Sequence, residues 1–148
     1  MSDELTYDYI LDGFEFLPDW ESRYQFIEDL GRKLPPMHDS LKTDENRVHG
    51  CMSMVWVKAE PVADGPAVII HGDSDTSTIK GVVAIPVAIF RGMTAHEIID
   101  TDTDARFEEL GLFDHLSPTR HVGVYAIVET IRTQAAALVD KSDAASQE

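Results

Sequence analysis

From Gly81 to Phe90 the chain reads GVVAIPVAIF, a run without a charge or a polar side chain. The segment before it, GDSDTSTIK (72–80), supplies Asp, Ser and Thr as caps for unsatisfied N–H groups, so the pattern predicts a helix. A helix apolar nearly all round has no face to give to water and is therefore a buried one. Pro86 lies inside the run, removes an intrahelical hydrogen bond and is expected to kink or split the helix.

Several elements are available to pack around it. After Asp19, a candidate N-cap, Trp20, Tyr24, Ile27 and Leu30 recur at helical spacing. Gly31 and then Leu34-Pro35-Pro36 are expected to end that helix. Residues 5–17 form a weaker helical candidate. HDSLKTDENRVHG (38–50) lacks a period and reads as a long surface loop. SMVWVKAE (53–60) and AVIIHG (67–72) are β-forming runs joined by PVADGP, which predicts an antiparallel hairpin with a connection longer than two residues. Thr94 with Glu97 forms a capping box, and DARFEELGLF (104–113) reads as a short helix ended by Gly111. Ser117-Pro118 opens a last helix, whose Val124, Ile127, Val128, Ile131, Ala135 and Leu138 make one apolar stripe. The expectation is α+β: helices packed on a small antiparallel sheet, in one domain over 1–148, with a core at about 20–139 and a frayed tail at 140–148.

Charge narrows the function classes. Twelve basic against 27 acidic side chains give −15, a surface that repels phosphate backbones and anionic lipid. Nucleic-acid and membrane-surface roles are therefore not expected. The N-terminus MSDELTYDYILDG has neither a basic, apolar leader nor an Arg/Ser-rich one, and GVVAIPVAIF is too short to span a bilayer. A cytoplasmic location is expected.

The chain has one cysteine, Cys51, in ENRVHGCMSMVW (45–56). One thiol excludes an internal disulfide, a CxxC redox pair and a cysteine-cluster metal site. The plain alternative is a small buried hydrophobe. Against it, Gly50 and the preceding polar loop place the thiol near the surface, where Arg47 and His49 are close enough in sequence to lower its pKa. Met52 and Met54 pull the other way, toward burial and a raised pKa. A cysteine-phosphatase loop needs arginine where Val57 stands, and no base–orienter arrangement for a thiol hydrolase is visible. DSDTS (73–77) resembles the Asp-x-Asp motif of haloacid-dehalogenase phosphatases, but helix capping accounts for it better. The histidines are scattered without metal-ligand spacing, so no metal is expected. Arg120 stands in the first turn of the last helix, where the dipole disfavours cations. The commoner reason is an ion pair; the functional one is a cation aimed at a thiolate, a persulfide or a partner's carboxylate.

LGRKLPP, ENRVHGCMSMVW, GDSDTSTIKG and LGLFDHLSPTR, in that order and spacing, resemble the SufE family of sulfur acceptors, from about Trp20 to Val139. The resemblance implies a SufE/IscU-like α+β fold with the active cysteine on a loop that swings out to reach a partner, for which Gly50 is a pivot. It implies that Cys51 takes persulfide sulfur from a pyridoxal-phosphate-dependent cysteine desulfurase, SufS-like or a paralogue. It further implies that this acceptor stimulates the desulfurase and passes the sulfur to an iron–sulfur scaffold protein. Arg47, His49, Gly50, Asp73, Asp75 and Arg120 would support the cysteine or form the partner interface. The chain itself would bind no cofactor, the pyridoxal phosphate belonging to the desulfurase, and would be a monomer or homodimer. The alternative is an adaptor that activates the desulfurase without covalent transfer.

Overall fold

The structure, a computed structural model, describes residues 5–50, 53–62, 65–112 and 118–146, the last segment with side chains from 121 to 139. In chain order the elements are α1 (Tyr7–Phe16), α2 (Trp20–Lys33), β1 (Val55–Pro61), β2 (Val68–Ser74), α3 (Ser77–Phe90), α4 (Ala95–Asp100), α5 (Thr103–Leu110) and α6 (Pro118–Ser146). β1 and β2 pair antiparallel, with Val55 opposite Ser74 and Pro61 opposite Val68. The helices pack on this hairpin, as an α+β architecture requires.

α3 is the centre. Every residue from Gly81 to Phe90 is buried, and α2, β2, α6 and α1 all contact it. Each fully buried Val, Ile or Phe contributes about 1.5–3 kcal/mol, so this helix anchors the core. Pro86 does not split it: the helix is a single element from Ser77 to Phe90. Proline removes only one N–H, and the packing on all sides of α3 holds the turn whose bond is missing.

Gly31 does not end α2 either. It lies buried within the helix, at a close approach to α3. A Cβ there would sit 2.8 Å from the Gly81 amide nitrogen, and one at Gly81 would sit 2.1 Å from the Ile27 carbonyl oxygen. The paired glycines let the two backbones touch. The helix stops at Leu34, extended at φ −64°, ψ 128° because Pro35 follows. Its start is as expected: Asp19 accepts from the Ser22 amide at 2.8 Å. α1 is likewise capped, by Thr6 accepting from the Tyr9 amide at 3.1 Å.

The capping box at Thr94 and Glu97 is present, and Gly111 ends α5 in the left-handed region at φ 66°. α6 buries Val124, Ile127, Val128, Ile131 and Ala135, with Leu138 packed against the core. Its backbone stays helical to Ser146, beyond the 139 at which fraying was expected. Its stretch His121–Val139 is long and apolar enough to cross a membrane by length and composition, although its stripe lies in this core.

Candidate functional site

Cys51 and Met52 lie outside the described residues, and the site is built from what flanks them. On the N-terminal side the stretch 38–50 is more ordered than a surface loop. Two 3-10 turns, Asp39–Leu41 and Asp44–Asn46, fold it back, and buried Asn46 donates through Nδ2 to the Leu41 carbonyl at 2.8 Å. Arg47 then bridges to Trp56, and the Val48 amide donates to the Val55 carbonyl at 2.8 Å. Val48 is buried, whereas His49 and Gly50 are exposed. Gly50 has φ +101°, a backbone state that L side chains rarely adopt, and it packs beside Ala126 of α6.

On the C-terminal side the strand end is tied down by the last residue of β2 and the two that follow it. Ser74 donates through Oγ to the Met54 carbonyl at 2.8 Å. Asp75 Oδ1 accepts from the Met54 amide, and the Asp75 amide donates to the Met54 carbonyl, each at 3.2 Å. Thr76 donates to the Ser53 hydroxyl at 3.1 Å. Val48 and Met54, which flank the cysteine segment in the sequence, are therefore both tied to the hairpin.

These contacts correct the capping interpretation of DSDTS. The N-cap of α3 is Thr76, without a side-chain cap bond, and Asp73 and Ser74 belong to β2. Asp73 is buried and turns to two lysines: Lys42 Nζ at 3.0 Å and Lys80 Nζ at 3.4 Å. Burial works to raise its pKa, but the Lys42 hydrogen bond, the Ser74 amide and the Lys80 charge outweigh this and hold the carboxyl below its ordinary value. Lys42 also lies over the Trp56 ring, with its ammonium 5.7 Å from the centroid. Asp73 therefore ties the stretch before Cys51 to α3.

The structure thus brings Asp75 to the returning flank of the cysteine segment and places Asp73 on lysines that sequence reasoning missed. No sequence signal pairs Lys42 with Asp73; Lys80 does stand in the quoted GDSDTSTIKG. Arg47 is fixed through its backbone, and its expected action on the thiol, like that of His49, concerns a residue outside the described set. Arg120 falls in the first turn of α6 as expected, its side chain again outside the described set. Gln134 was missed entirely. From α6 it donates to the Val57 carbonyl at 2.9 Å and accepts from the Ala59 amide at 2.6 Å, sealing β1 on the side away from β2. Among the described residues, no group of three or more His, Cys, Asp or Glu could hold a metal ion.

The chain is similar to known proteins. Residues 8–135 match the SufE family, described as an Fe-S metabolism associated domain. An uncharacterized SufE-like protein of Rhizobium meliloti (strain 1021) is 39% identical over 130 residues, covering 86% of this chain and 93% of that one. A second uncharacterized SufE-like protein, from Rhizobium etli, is also 39% identical over 130 residues, with 86% and 88% covered. The solution structure of a hypothetical protein from Thermus thermophilus superposes with a TM-score of 0.73 over 90% of this chain and 96% of that one. At 20% identity that likeness concerns the fold alone.

Proposed function

Because the chain belongs to the SufE family of Fe–S metabolism associated domains, we propose that it is a persulfide carrier with Cys51 as its reactive group. The partner is a pyridoxal-phosphate-dependent cysteine desulfurase that holds sulfur from L-cysteine as a cysteine persulfide. The Cys51 thiolate attacks the terminal sulfur, the S–S bond of the donor breaks, and the donor cysteine leaves as thiolate. Cys51 then carries the sulfur as its own persulfide to an iron–sulfur scaffold protein. No oxidant is needed, because one S–S bond replaces another. As the only cysteine in the chain, Cys51 has no internal thiol that could displace the sulfur as a disulfide.

The observations that support this reading are the two flanks of the lone thiol in the sequence: Gly50, at φ +101°, on one side and a strand end held by Ser74, Asp75 and Thr76 on the other. Val48 and Met54, on either side of it, are both hydrogen-bonded into the hairpin. Asp73, with Lys42 and Lys80, ties the stretch before Cys51 to α3, while Arg47, His49 and Arg120 supply cationic or proton-bearing groups for the thiolate or the interface. The chain binds no cofactor of its own in this scheme, works in the reducing cytoplasm, and acts as a monomer or homodimer.

The test is to incubate the protein with a cysteine desulfurase and L-cysteine and weigh the Cys51 peptide. A gain of one sulfur atom's mass supports the carrier. Stimulation of the desulfurase undiminished by Cys51→Ala, with no mass gain in the native protein, would show an adaptor instead.

A further inference from the structure

α2 and α3 touch at Gly31 and Gly81, and beside that contact a cleft of about 260 Å³ lies between the two helices. Glu21, Tyr24 and Glu28 line it from α2, at spacings of three and four residues that set them on one face. Ile27 and Val82, both buried, supply its apolar lining. Thr78 of α3 lines it too and donates through Oγ1 to Glu28 at 2.8 Å.

Two carboxylates thus line the cleft, and among the described residues no cation does. Glu21 is exposed and makes no hydrogen bond or ion pair with a side chain among the described residues. The Thr78 hydroxyl occupies one lone pair of Glu28 but carries no charge, so that carboxylate keeps no counter-ion. By contrast Asp29 of the same helix meets Arg32 at 2.8 Å, and Asp73 meets two lysines. The helix dipole favours an anion at Glu21, in the first turn of α2, but does not extend to Glu28 two turns further on.

Apolar lining beneath uncompensated carboxylates suits a side chain with a long apolar stem and a cationic head. Pockets for drug-sized ligands hold about 300–1,000 Å³, so this smaller cleft matches a single side chain. Glu21 and Glu28 stand about 10.5 Å apart along the helix axis, a gap that a planar guanidinium, with donors on both sides, spans better than a compact ammonium. We propose that the cleft is a docking site for an arginine side chain of a partner protein, its guanidinium between Glu21 and Glu28 and its stem against Tyr24, Ile27 and Val82. Thr78 stands two residues after Thr76, which donates to the Ser53 hydroxyl at 3.1 Å, so a protein held here also stands at the returning flank of the cysteine segment. The site does not depend on sulfur reaching Cys51 and stands or falls separately from the carrier reading.

The probe is an acetylated and amidated Gly-Arg-Gly peptide, added to the full-length, isotope-labelled protein at physiological salt. Its counterpart carries citrulline, the neutral isostere of arginine. Amide shifts concentrated at Tyr24, Gln25 and Thr78 are expected. The citrulline peptide should bind about tenfold more weakly, because it lacks the charge-assisted bonds. Glu21→Gln should weaken binding of the arginine peptide about threefold, whereas Glu108→Gln, which removes an exposed carboxylate of α5, should not. No shifts at millimolar peptide, equal binding of the citrulline peptide, shifts spread over the acidic surface, or equal losses from the two variants would each overturn the proposal. The citrulline peptide decides the matter on native protein even if Glu21→Gln fails to fold.

Discussion

Asp75 and Met54 hold each other twice: the Asp75 carboxylate accepts from the Met54 amide and the Asp75 amide donates to the Met54 carbonyl, both at 3.2 Å. The pair closes the returning end of the cysteine segment onto the end of β2. Asp75 is exposed, so its removal leaves no buried charge behind.

Asp75→Ala is therefore expected to loosen the segment without unfolding the protein. Thermal stability should fall by about 1 kcal/mol or less, the scale of one exposed hydrogen bond. Amide exchange at Ser53 and Met54 should quicken by about fivefold, as the loss of that bond implies. Sulfur acquisition by Cys51, followed by mass spectrometry, should slow. Unchanged exchange at Met54 would mean the carboxylate contributes nothing to the anchor.

Asp73 sets an acid limit on the fold. Its folded pKa lies below the ordinary 3.8, so the unfolded chain binds its proton first as pH falls. The stabilisation is fully present above that ordinary value and is lost as pH drops through the folded one. Asp73→Asn should thus cost stability at neutral pH, where two lysines lose their counter-charge, by about 1–2 kcal/mol. The difference from the native protein should shrink as pH falls below 3.8 and through the lower folded pKa. Denaturant melts at neutral pH and at about pH 2.5 measure both.

Gly50→Ala tests the backbone state at the thiol's neighbour. The added Cβ would meet Ala126 at 3.4 Å, a tight contact, but φ +101° is strained for any L residue. A cost of about 1–3 kcal/mol is expected if the conformation is kept. Relaxation of the segment would avoid that cost and misplace Cys51. The first outcome lowers the melting temperature and the second lowers persulfide loading at constant stability; a variant that matched native protein in both would refute the role assigned to Gly50.

Gln134→Leu removes a side-chain amide that makes hydrogen bonds to both a carbonyl and an amide of β1. Leaving both part-buried groups unsatisfied costs about 2 kcal/mol or more, a drop of about 5 °C for a domain of this size. Exchange at Ala59 should rise more than at residues of β2. Uniform exchange across the hairpin would argue against the clamp.

Much of the fold was legible in local pattern. The caps at Asp19, Thr94 and Gly111, the hairpin, and the α6 stripe from Val124 to Leu138 are all as the residues predict, because each depends on neighbours within a turn or two. The errors share one cause. Gly31 and Pro86 are helix breakers by propensity, yet both lie inside helices, because a close helix crossing needs the first and burial on all sides holds the second. Asp73 reads as a cap by its position before an apolar helix, but lysines from α3 and from the stretch before Cys51 claim it.

The order of residues alone determined the class of fold, the burial of α3 and the singular status of Cys51, since composition and period carry those facts. Only the folded molecule decided that Asp73 meets Lys42, that Asp75 ties down Met54, and that Gln134 seals one edge of the hairpin. Each joins elements far apart in the chain. Such pairings are set by how helices dock on the hairpin, which no local pattern specifies.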